Sequence, residues 1–273
     1  LGACSEEDKA QAERWAMPAN SPGTEQGEAI ADLWHWSWIA ALATGVLVWA
    51  LMFYVSVRYR RRSADEVPVQ TRYNLPLEVL YTIAPVFMVI GFFYWTVTVQ
   101  DEVLEHVDNP DRMVEVTAQQ WSWTFNHSDG DAEAGGPVVY EAGTASQIPT
   151  LVLPVDETIE FKLSSPDVIH SFWIPGFLMK MDVIPGQKDE DRNSFQVHTT
   201  KLGDFRGKCA ELCGTYHSRM IFDVKVVTTE EYEAYLAQQK AQGFAASEPL
   251  LGGEYAATGS ESFNLVDENG GAE

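Results

Sequence analysis

The segment CAELCGTYHSRM, residues 209–220, brings two cysteines, a histidine and a methionine together in one short stretch. It leads directly into MIFDVKVV, residues 220–227, whose alternation is typical of a β-strand with one buried face. A Cys209–Cys213 disulfide is plausible outside the cytoplasm and remains an alternative. The adjacent His217 and Met220 favour copper, because thiolate, imidazole and thioether are ligands that copper prefers. A structural zinc site has no need of a thioether.

Two close thiolates can bridge two copper ions, and such a centre needs a second imidazole from elsewhere in the chain. His170 is the candidate, because it follows a predicted strand at 158–163, within SPDVIHSFW at 165–173. The remaining histidines fit surface or packing positions better; they are His35, His106, His127 and His198.

Short apolar stretches separated by Pro and Gly turns surround this segment. They predict an all-β domain, a Greek-key β-sandwich or barrel. The predicted strands are 113–118, 150–155, 158–163, 194–197 and 220–227. The polar stretch 126–136 (NHSDGDAEAGG) predicts a hairpin loop or insertion, and 230–242 a helix. The tail from Ser247 is expected to be flexible or wrapped on a partner.

The first hundred residues contain two runs without charge, Leu33–Val57 and Val79–Gln100. Each is longer than the roughly 20 residues with which a helix crosses a bilayer. A basic cluster, Arg58–Arg62, lies between them and is expected in the cytoplasm by the positive-inside rule. The sequence therefore predicts a two-helix transmembrane hairpin with both chain ends outside.

The formal charge of -22 lies mostly after residue 100, where 30 acidic residues face 11 basic ones. Such a balance argues against nucleic acid as a partner, because phosphates need a basic surface. It favours the steering of a cationic partner. A merely acidic surface is the alternative, and charge alone does not choose between them.

The string CxExCxxxHxxM, the upstream DVIHSF and the two-helix anchor together resemble the cytochrome c oxidase subunit II family of aa3-type haem–copper oxidases. The resemblance spans about residues 30–228. It implies a cupredoxin-like domain with a binuclear copper centre, CuA, bridged by Cys209 and Cys213. His170 and His217 would each bind one copper, Met220 would be a weak ligand, and the Glu211 carbonyl another. The Glu211 side chain would point to a magnesium ion shared with subunit I.

Further matches carry roles from the same resemblance. Trp121 in QWSW, 120–123, would receive electrons from cytochrome c, although the family usually has tyrosine where Ser122 stands. Glu78 would lie at the cytoplasmic mouth of a proton channel, with a simple helix-end acid as the alternative, and Asp167 is a candidate contact for the donor. KMDVIPG, 180–186, would be a turn against subunit I. LGAC at 1–4 resembles a bacterial lipobox with Cys4 as the lipidated residue, and a stray cysteine is the alternative.

The resemblance implies a chain that relays electrons to the haem of subunit I, where oxygen is reduced and protons are pumped. Expected partners are subunits I and III, membrane lipids, and cytochrome c or the c-type haem domain of a bc complex. The polar residues 5–30 are expected to form an exposed linker. The expected division is a lipobox and linker (1–32), helical hairpin (33–100), copper domain (101–232), and helix with acidic tail (233–273). The copper domain is expected on the outer face of a bacterial plasma membrane. A thioredoxin-type copper chaperone and a quinol-oxidase subunit II fit less well, since the first carries its cysteines early and the second lacks the ligands.

Overall fold

The computed structural model describes residues 14–67, 69–128, 136–144, 146–188 and 192–250. The chain divides into two compact units. A helical unit comprises residues 29–103, and a β unit is formed by the residues before and after it.

The helical unit contains α1, Glu25–Arg58, and α2, Leu75–Val103, both long and apolar enough to cross a membrane. Trp36 and Ile39, early in α1, line the same groove as Phe92 and Trp95, late in α2, so the helices are antiparallel. This confirms the predicted two-helix hairpin. Both helices extend beyond the charge-free runs 33–57 and 79–100, because the polar residues at their ends also adopt helical structure.

The start of α2 is fixed by Asn74 and Glu78. The Asn74 side chain accepts a hydrogen bond from the Leu77 N–H at 3.4 Å, and the Asn74 N–H donates to Glu78 Oε1 at 3.0 Å. These bonds satisfy donors that the first turn of a helix leaves unpaired. Glu78 therefore has a capping role at the helix start.

Within the described residues the β unit has eleven strands and one helix. The strands are β1 Arg112–Gln119, β2 Ser122–Ser128, β3 Val138–Ala142, β4 Thr150–Pro154, β5 Thr158–Ser164, β6 His170–Ile174, β7 Met179–Val183, β8 Ser194–His198, β9 Gly203–Cys209, β10 Ile221–Val227 and β11 Ala245–Ala246. Helix α3 spans Thr229–Ala241.

The strands form two sheets, ordered β11-β3-β2-β1-β5-β8 and β4-β10-β9-β6-β7. Most neighbours are antiparallel, but β1 with β5 and β4 with β10 are parallel. Parallel pairs require crossovers between strands that are distant in sequence, as expected of a sandwich with Greek-key connections rather than a meander. The predicted all-β sandwich is confirmed.

Aromatic rings from both sheets make the core. Phe172 on β6 stacks on Phe222 of β10 with centroids 5.1 Å apart, and both contact Trp123 of β2 edge-on. A Cβ on Gly207 would lie only 1.9 Å from the Phe222 ring, so this position must be glycine. This core supports β6 and β9, the two strands that carry His170 and Cys209 to the loop 209–220.

The N-terminal segment differs from the exposed linker that composition predicted. The Gly23 N–H donates to the Gly176 carbonyl at 3.0 Å, and the Thr200 N–H donates to the Gly23 carbonyl at 3.1 Å. Thr24 is fully buried and forms a β-bridge with Thr199. The residues that precede α1 are thus bound to the β unit through their backbone, a property that side-chain polarity does not reveal.

Two other polar segments are also ordered parts of the β unit. Asn126–Ser128, predicted as the start of a loop, completes β2, and Asn126 and His127 are fully buried. Residues 129–135 lie outside the described part.

Helix α3 runs through the boundary that was expected between residues 232 and 233. After it, the Leu250 N–H donates to Asn126 Oδ1 at 3.0 Å, so the described part of the tail packs on the first sheet.

Candidate metal centre

The loop between β9 and β10 is closed at its base by the sandwich. Cys209 is the last residue of β9, and its N–H donates to the carbonyl of Met220, which directly precedes β10. The Ala210 N–H donates to the Ser171 carbonyl at 3.0 Å, which joins the loop to β6. A 3-10 turn at His217–Arg219 then returns the chain to the sheet. The loop is held on both sides by strands.

Six potential donor groups converge here, five from this loop and its ends and one, His170, from β6. The sulfurs of Cys209 and Cys213 are 3.8 Å apart. Cys209 Sγ lies 3.8 Å from His170 Nδ1 and 3.1 Å from the carbonyl oxygen of Glu211. Cys213 Sγ lies 3.6 Å from His217 Nδ1 and 3.7 Å from the Met220 sulfur. Each cysteine is therefore paired with one imidazole and one further donor.

The two sulfurs are not joined by a disulfide bond in this structure. A disulfide needs about 2.05 Å between sulfurs, and the observed 3.8 Å is far longer. Cys209, Cys213 and Met220 are at most 5% exposed. Buried soft sulfur donors beside two imidazoles fit copper by their chemistry, and the spacing leaves the disulfide alternative unformed.

The pKa values of the two cysteines are shifted in opposite directions. The contact with Cys213 lowers the pKa of Cys209 to about 3, because the Cys213 S–H stabilises the Cys209 thiolate. The same contact, together with burial, raises the pKa of Cys213. One sulfur of the pair is therefore a ready anion, which is the ligand form that a cation binds.

His170 is held by Asp167 across a tight turn. The His170 Nε2 lies 2.9 Å from Asp167 Oδ1, which leaves Nδ1 directed at Cys209. Burial works to lower the pKa of His170, but the hydrogen bonds with Asp167 and Cys209 outweigh it and raise that pKa. A carboxylate behind an imidazole is the usual support of a metal-binding histidine, since it fixes the ring and its tautomer.

Asp167 also joins the site to the turn between β1 and β2. Its Oδ2 accepts from the Gln120 N–H at 2.6 Å, and its Oδ1 accepts from the Val168 N–H at 2.6 Å. Burial opposes ionisation, yet the bonds from His170 and these two backbone groups lower the pKa of Asp167. The Asp167 carboxylate thus acts as a brace, meaning that it fixes His170 through hydrogen bonds, and it is also partly exposed at the surface.

Trp121 lies over the same loop. Its Nε1 donates to the Cys213 carbonyl at 3.3 Å, and the Gln120 side chain donates to that oxygen at 2.7 Å. A Cβ on Gly214 would lie 3.0 Å from the indole, and Gly214 also has a φ of +125°, so glycine is needed twice over. The indole is therefore in direct contact with a residue of the donor set.

The chain is similar to known proteins over most of its length. A family model described as "Cytochrome C oxidase subunit II, periplasmic domain" matches residues 112–227. The chain is 46% identical over 265 residues to the "Probable cytochrome c oxidase subunit 2" of Streptomyces coelicolor, covering 84% of this chain and 80% of that protein. It is 38% identical to the "Cytochrome c oxidase subunit 2" of Mycobacterium tuberculosis, covering 83% and 76%.

The chain belongs to the cytochrome c oxidase subunit II family. It is therefore a component of a respiratory oxidoreductase, and its two apolar helices are consistent with a membrane-anchored member. Among solved structures, the periplasmic domain of subunit II (CoxB) of Bradyrhizobium japonicum is 28% identical, with a TM-score of 0.43, and covers 50% of this chain and 99% of that one.

The predicted site residues of this family member fall into three groups. The structure brings together the proposed copper ligands, Trp121 and Asp167; the ligands are His170, Cys209, Glu211, Cys213, His217 and Met220. Glu78 lies in the helical unit, at the start of α2. Cys4 lies outside the described residues. The Glu211 side chain is exposed, and its assignment to magnesium stays a prediction.

Sequence reasoning missed three participants. Asp167 was predicted only as a docking acid, although its position three residues before His170 in a turn is a signal for a supporting carboxylate. Gln120 and Tyr216 were not predicted at all. Tyr216 is adjacent to His217, but its ring contact with Trp121 spans 95 positions of sequence and leaves no local pattern.

Proposed function

We propose that this chain is the electron-accepting subunit of a cytochrome c oxidase and that its loop 209–220 holds the binuclear CuA centre. The observation that carries the proposal is the convergence of two thiols, two imidazoles, a thioether and a carbonyl around buried sulfurs, with His170 supplied by β6 and the other groups by the loop 209–220. Bound copper would supply a redox site that takes up and releases single electrons shared over two ions.

The protein's part in this function is to fix the donor groups in position and to shield the sulfurs from water. Cys209 and Cys213 would bridge the two ions, His170 and His217 would each bind one, and Met220 would be a weak ligand. The Glu211 carbonyl would complete the set. Strands β6, β9 and β10 fix these groups at both ends of the loop, and burial of the sulfurs excludes water. A site that changes little between oxidation states transfers electrons with little rearrangement.

Trp121 is the proposed point at which electrons arrive from the donor. In support, the indole is partly exposed on one side and bonded to the Cys213 carbonyl on the other. The donor is proposed to be cytochrome c or a c-type haem domain of a bc complex. The acidic balance after residue 100 favours a cationic donor surface. Asp167 keeps 28% of its side chain exposed beside His170, which leaves it available as a docking contact.

The remaining roles concern the assembled oxidase. We propose contact with subunits I and III, with electrons passing to the haem of subunit I for the reduction of oxygen coupled to proton pumping. Glu78 is proposed at the mouth of a proton channel, and its place at a helix start is compatible with a headgroup-level carboxylate. The exposed Glu211 side chain is proposed to reach a magnesium ion at the boundary with subunit I.

The proposed location is the plasma membrane, with the β unit and both chain ends on the outer face. The basic cluster Arg58–Arg62 between the two helices supports this orientation. A lipid on Cys4 would add to the anchor. We retain the functional division into linker (1–32), hairpin (33–100) and copper domain from 101, and assign α3 to the copper domain because it packs on it.

Copper spectroscopy on the purified full chain tests the proposal. The wild-type chain should bind two copper ions and show near-infrared absorption and an electron spin resonance spectrum of one electron shared over both. Cys209→Ser and Cys213→Ser should each abolish that signal, whereas Cys4→Ser is the matched control and should retain it. A two-copper spectrum that survives Cys213→Ser would contradict the assignment.

A further inference from the structure

The loop 209–220 carries a second aromatic side chain, Tyr216, beside Trp121. The ring of Tyr216 meets the indole edge-on, with centroids 5.0 Å apart and planes at 85°. This is the preferred arrangement for an aromatic pair, because the positive edge of one ring faces the negative face of the other. Tyr216 comes from the loop itself, directly before His217.

Tyr216 is itself held in place. The guanidinium of Arg219 lies 5.6 Å from its ring centroid, and the Arg219 N–H donates to the Tyr216 carbonyl at 2.9 Å. A cation over an aromatic face is attracted by the ring quadrupole. The 3-10 turn that contains His217 therefore presents Tyr216 to Trp121 in a defined orientation.

Ser122, the residue that follows Trp121, is 4% exposed, and as a serine it has no ring that could pack on the indole. On its other side the indole rests against Gly214 and the Cys213 carbonyl. Tyr216 adds an aromatic edge-to-face contact to these polar and backbone contacts of the indole.

We infer that Tyr216 is a positioning residue for Trp121: its ring holds the indole in one orientation over the Cys213 carbonyl, where the donor delivers its electron. The inference rests on the proposed function, since it assigns a part in electron uptake. It adds that the ring beside Trp121 is supplied by the loop 209–220. Substitutions of loop residues that are not ligands would therefore change the rate of electron transfer from the donor and leave the copper ligands unchanged.

The test uses the copper-loaded oxidase with Tyr216→Leu, Tyr216→Phe and Trp121→Ala. Flash-initiated electron transfer in the preformed complex with a c-type cytochrome separates transfer from binding. Tyr216→Leu should slow uptake by about two- to tenfold, the range that corresponds to losing one edge-to-face ring pair. Tyr216→Phe should restore the rate, because it keeps the ring. Tyr140→Leu is the matched control and should have no effect, because it removes a similar ring pair, that of Tyr140 on β3 with Phe244, away from the loop 209–220.

A second readout follows the indole directly. In the reduced protein labelled with 5-fluorotryptophan, the fluorine resonance of Trp121, identified by its absence in Trp121→Phe, should shift or split in Tyr216→Leu and not in Tyr140→Leu. An unchanged resonance and rate in Tyr216→Leu would overturn the inference. Loss of the near-infrared copper signature in that variant would overturn it too, because Tyr216 would then support His217.

The two proposals fail differently. A normal uptake rate in Trp121→Ala would remove the electron-receiving role of Trp121 from the proposed function. A slow Trp121→Ala with a normal Tyr216→Leu would leave that role intact and reject only the positioning role. A Tyr216→Phe variant as slow as Tyr216→Leu would reject the ring as the cause.

Discussion

Two histidines of the β unit, His170 and His127, are equally buried and chemically opposite. Both are 0% exposed. His170 faces a carboxylate and a thiol, and these raise its pKa. His127 faces Tyr232, whose hydroxyl lies 3.0 Å from its Nδ1, and burial lowers its pKa to about 3. Burial alone therefore says little about a histidine, and its partners decide whether it is a ligand or a packing residue.

The surroundings of His127 explain this difference. Its ring packs edge-on against Tyr232 and Tyr235 of α3, and its Nε2 has no hydrogen-bond partner among the described residues. The charges behind these rings include Arg112, which lies over Tyr232 and pairs with Glu157 and Glu233. Glu141 accepts from Tyr235, and none of these groups is bonded to the imidazole. A neutral imidazole suits such a pocket, while a charged one would have no counter-ion in contact.

The same substitution at both histidines should separate the two regions most clearly. His170→Gln should abolish the two-copper signal, because a proposed ligand is lost from a set in which each cysteine has one imidazole. His127→Gln should retain the full signal. Copper content and electron spin resonance of the two proteins provide the measurement. Equal copper loss in both would mean that general unfolding, and not ligation, controls binding.

Removing the carboxylate behind His170 should have the next largest effect. Asp167→Asn weakens the brace on the ring, and comparable supporting groups contribute about ten- to a hundredfold in metal affinity. Competition with a copper chelator measures that affinity. Asp111→Asn is the control, because Asp111 also accepts a backbone N–H, that of Thr158 at 2.8 Å, but lies outside the donor set. An Asp167→Asn affinity equal to that of the control would reject the brace.

The donor loop was largely predictable because its chemistry is local. Cys209, Cys213, His217 and Met220 lie in one segment, so their spacing already indicates a shared site. His170 could be chosen because the other histidines lie in less suitable segments. Asp167 acts across the site, and its bond to the Gln120 N–H joins residues 47 positions apart. Such a contact depends on how β1, β2 and β6 pack, which no local pattern reports.

Polarity misled the prediction where polar residues are buried by tertiary packing. Asn126 and His127 read as loop residues, but the described tail bonds Asn126 at Leu250, and α3 covers His127. The N-terminal segment was misread for a related reason, since Gly23 binds through its backbone. By contrast, the two apolar helices follow from composition alone, because a membrane span is defined by its length and hydrophobicity.

Acid should test the pocket of His127 specifically. The folded pKa is below that of an unfolded histidine, so the unfolded chain takes up the proton first as pH falls. This contribution to stability is complete above about pH 6.5 and is lost toward pH 3, with a slope of about 1.4 kcal/mol per pH unit. His127→Phe should lack this slope relative to wild type in denaturant unfolding of the full chain at pH 7, 6 and 5.

The exposed His106 supplies the control for that experiment. His106→Phe should follow the wild-type slope, because its ring lies in solvent. A His127→Phe protein that loses stability with acid as steeply as wild type would show that other groups, and not the buried imidazole, cause the acid sensitivity.

The smallest effect on copper binding is expected from removing the hydroxyl that bonds His127. Tyr232→Phe deletes one hydrogen bond and leaves His127 Nδ1 buried without that partner, which costs about 1–3 kcal/mol. The ring packing against His127 and the Arg112 contact remain, so α3 should stay docked. Denaturant unfolding should record this loss, while copper affinity stays at the wild-type value. Asp167→Asn should give the opposite result: its copper affinity should fall, and its free energy of unfolding should change less. If Tyr232→Phe weakened copper binding as much as Asp167→Asn does, the two buried histidines would be energetically coupled through the aromatic core, and their separation into a ligand and a packing residue would be wrong.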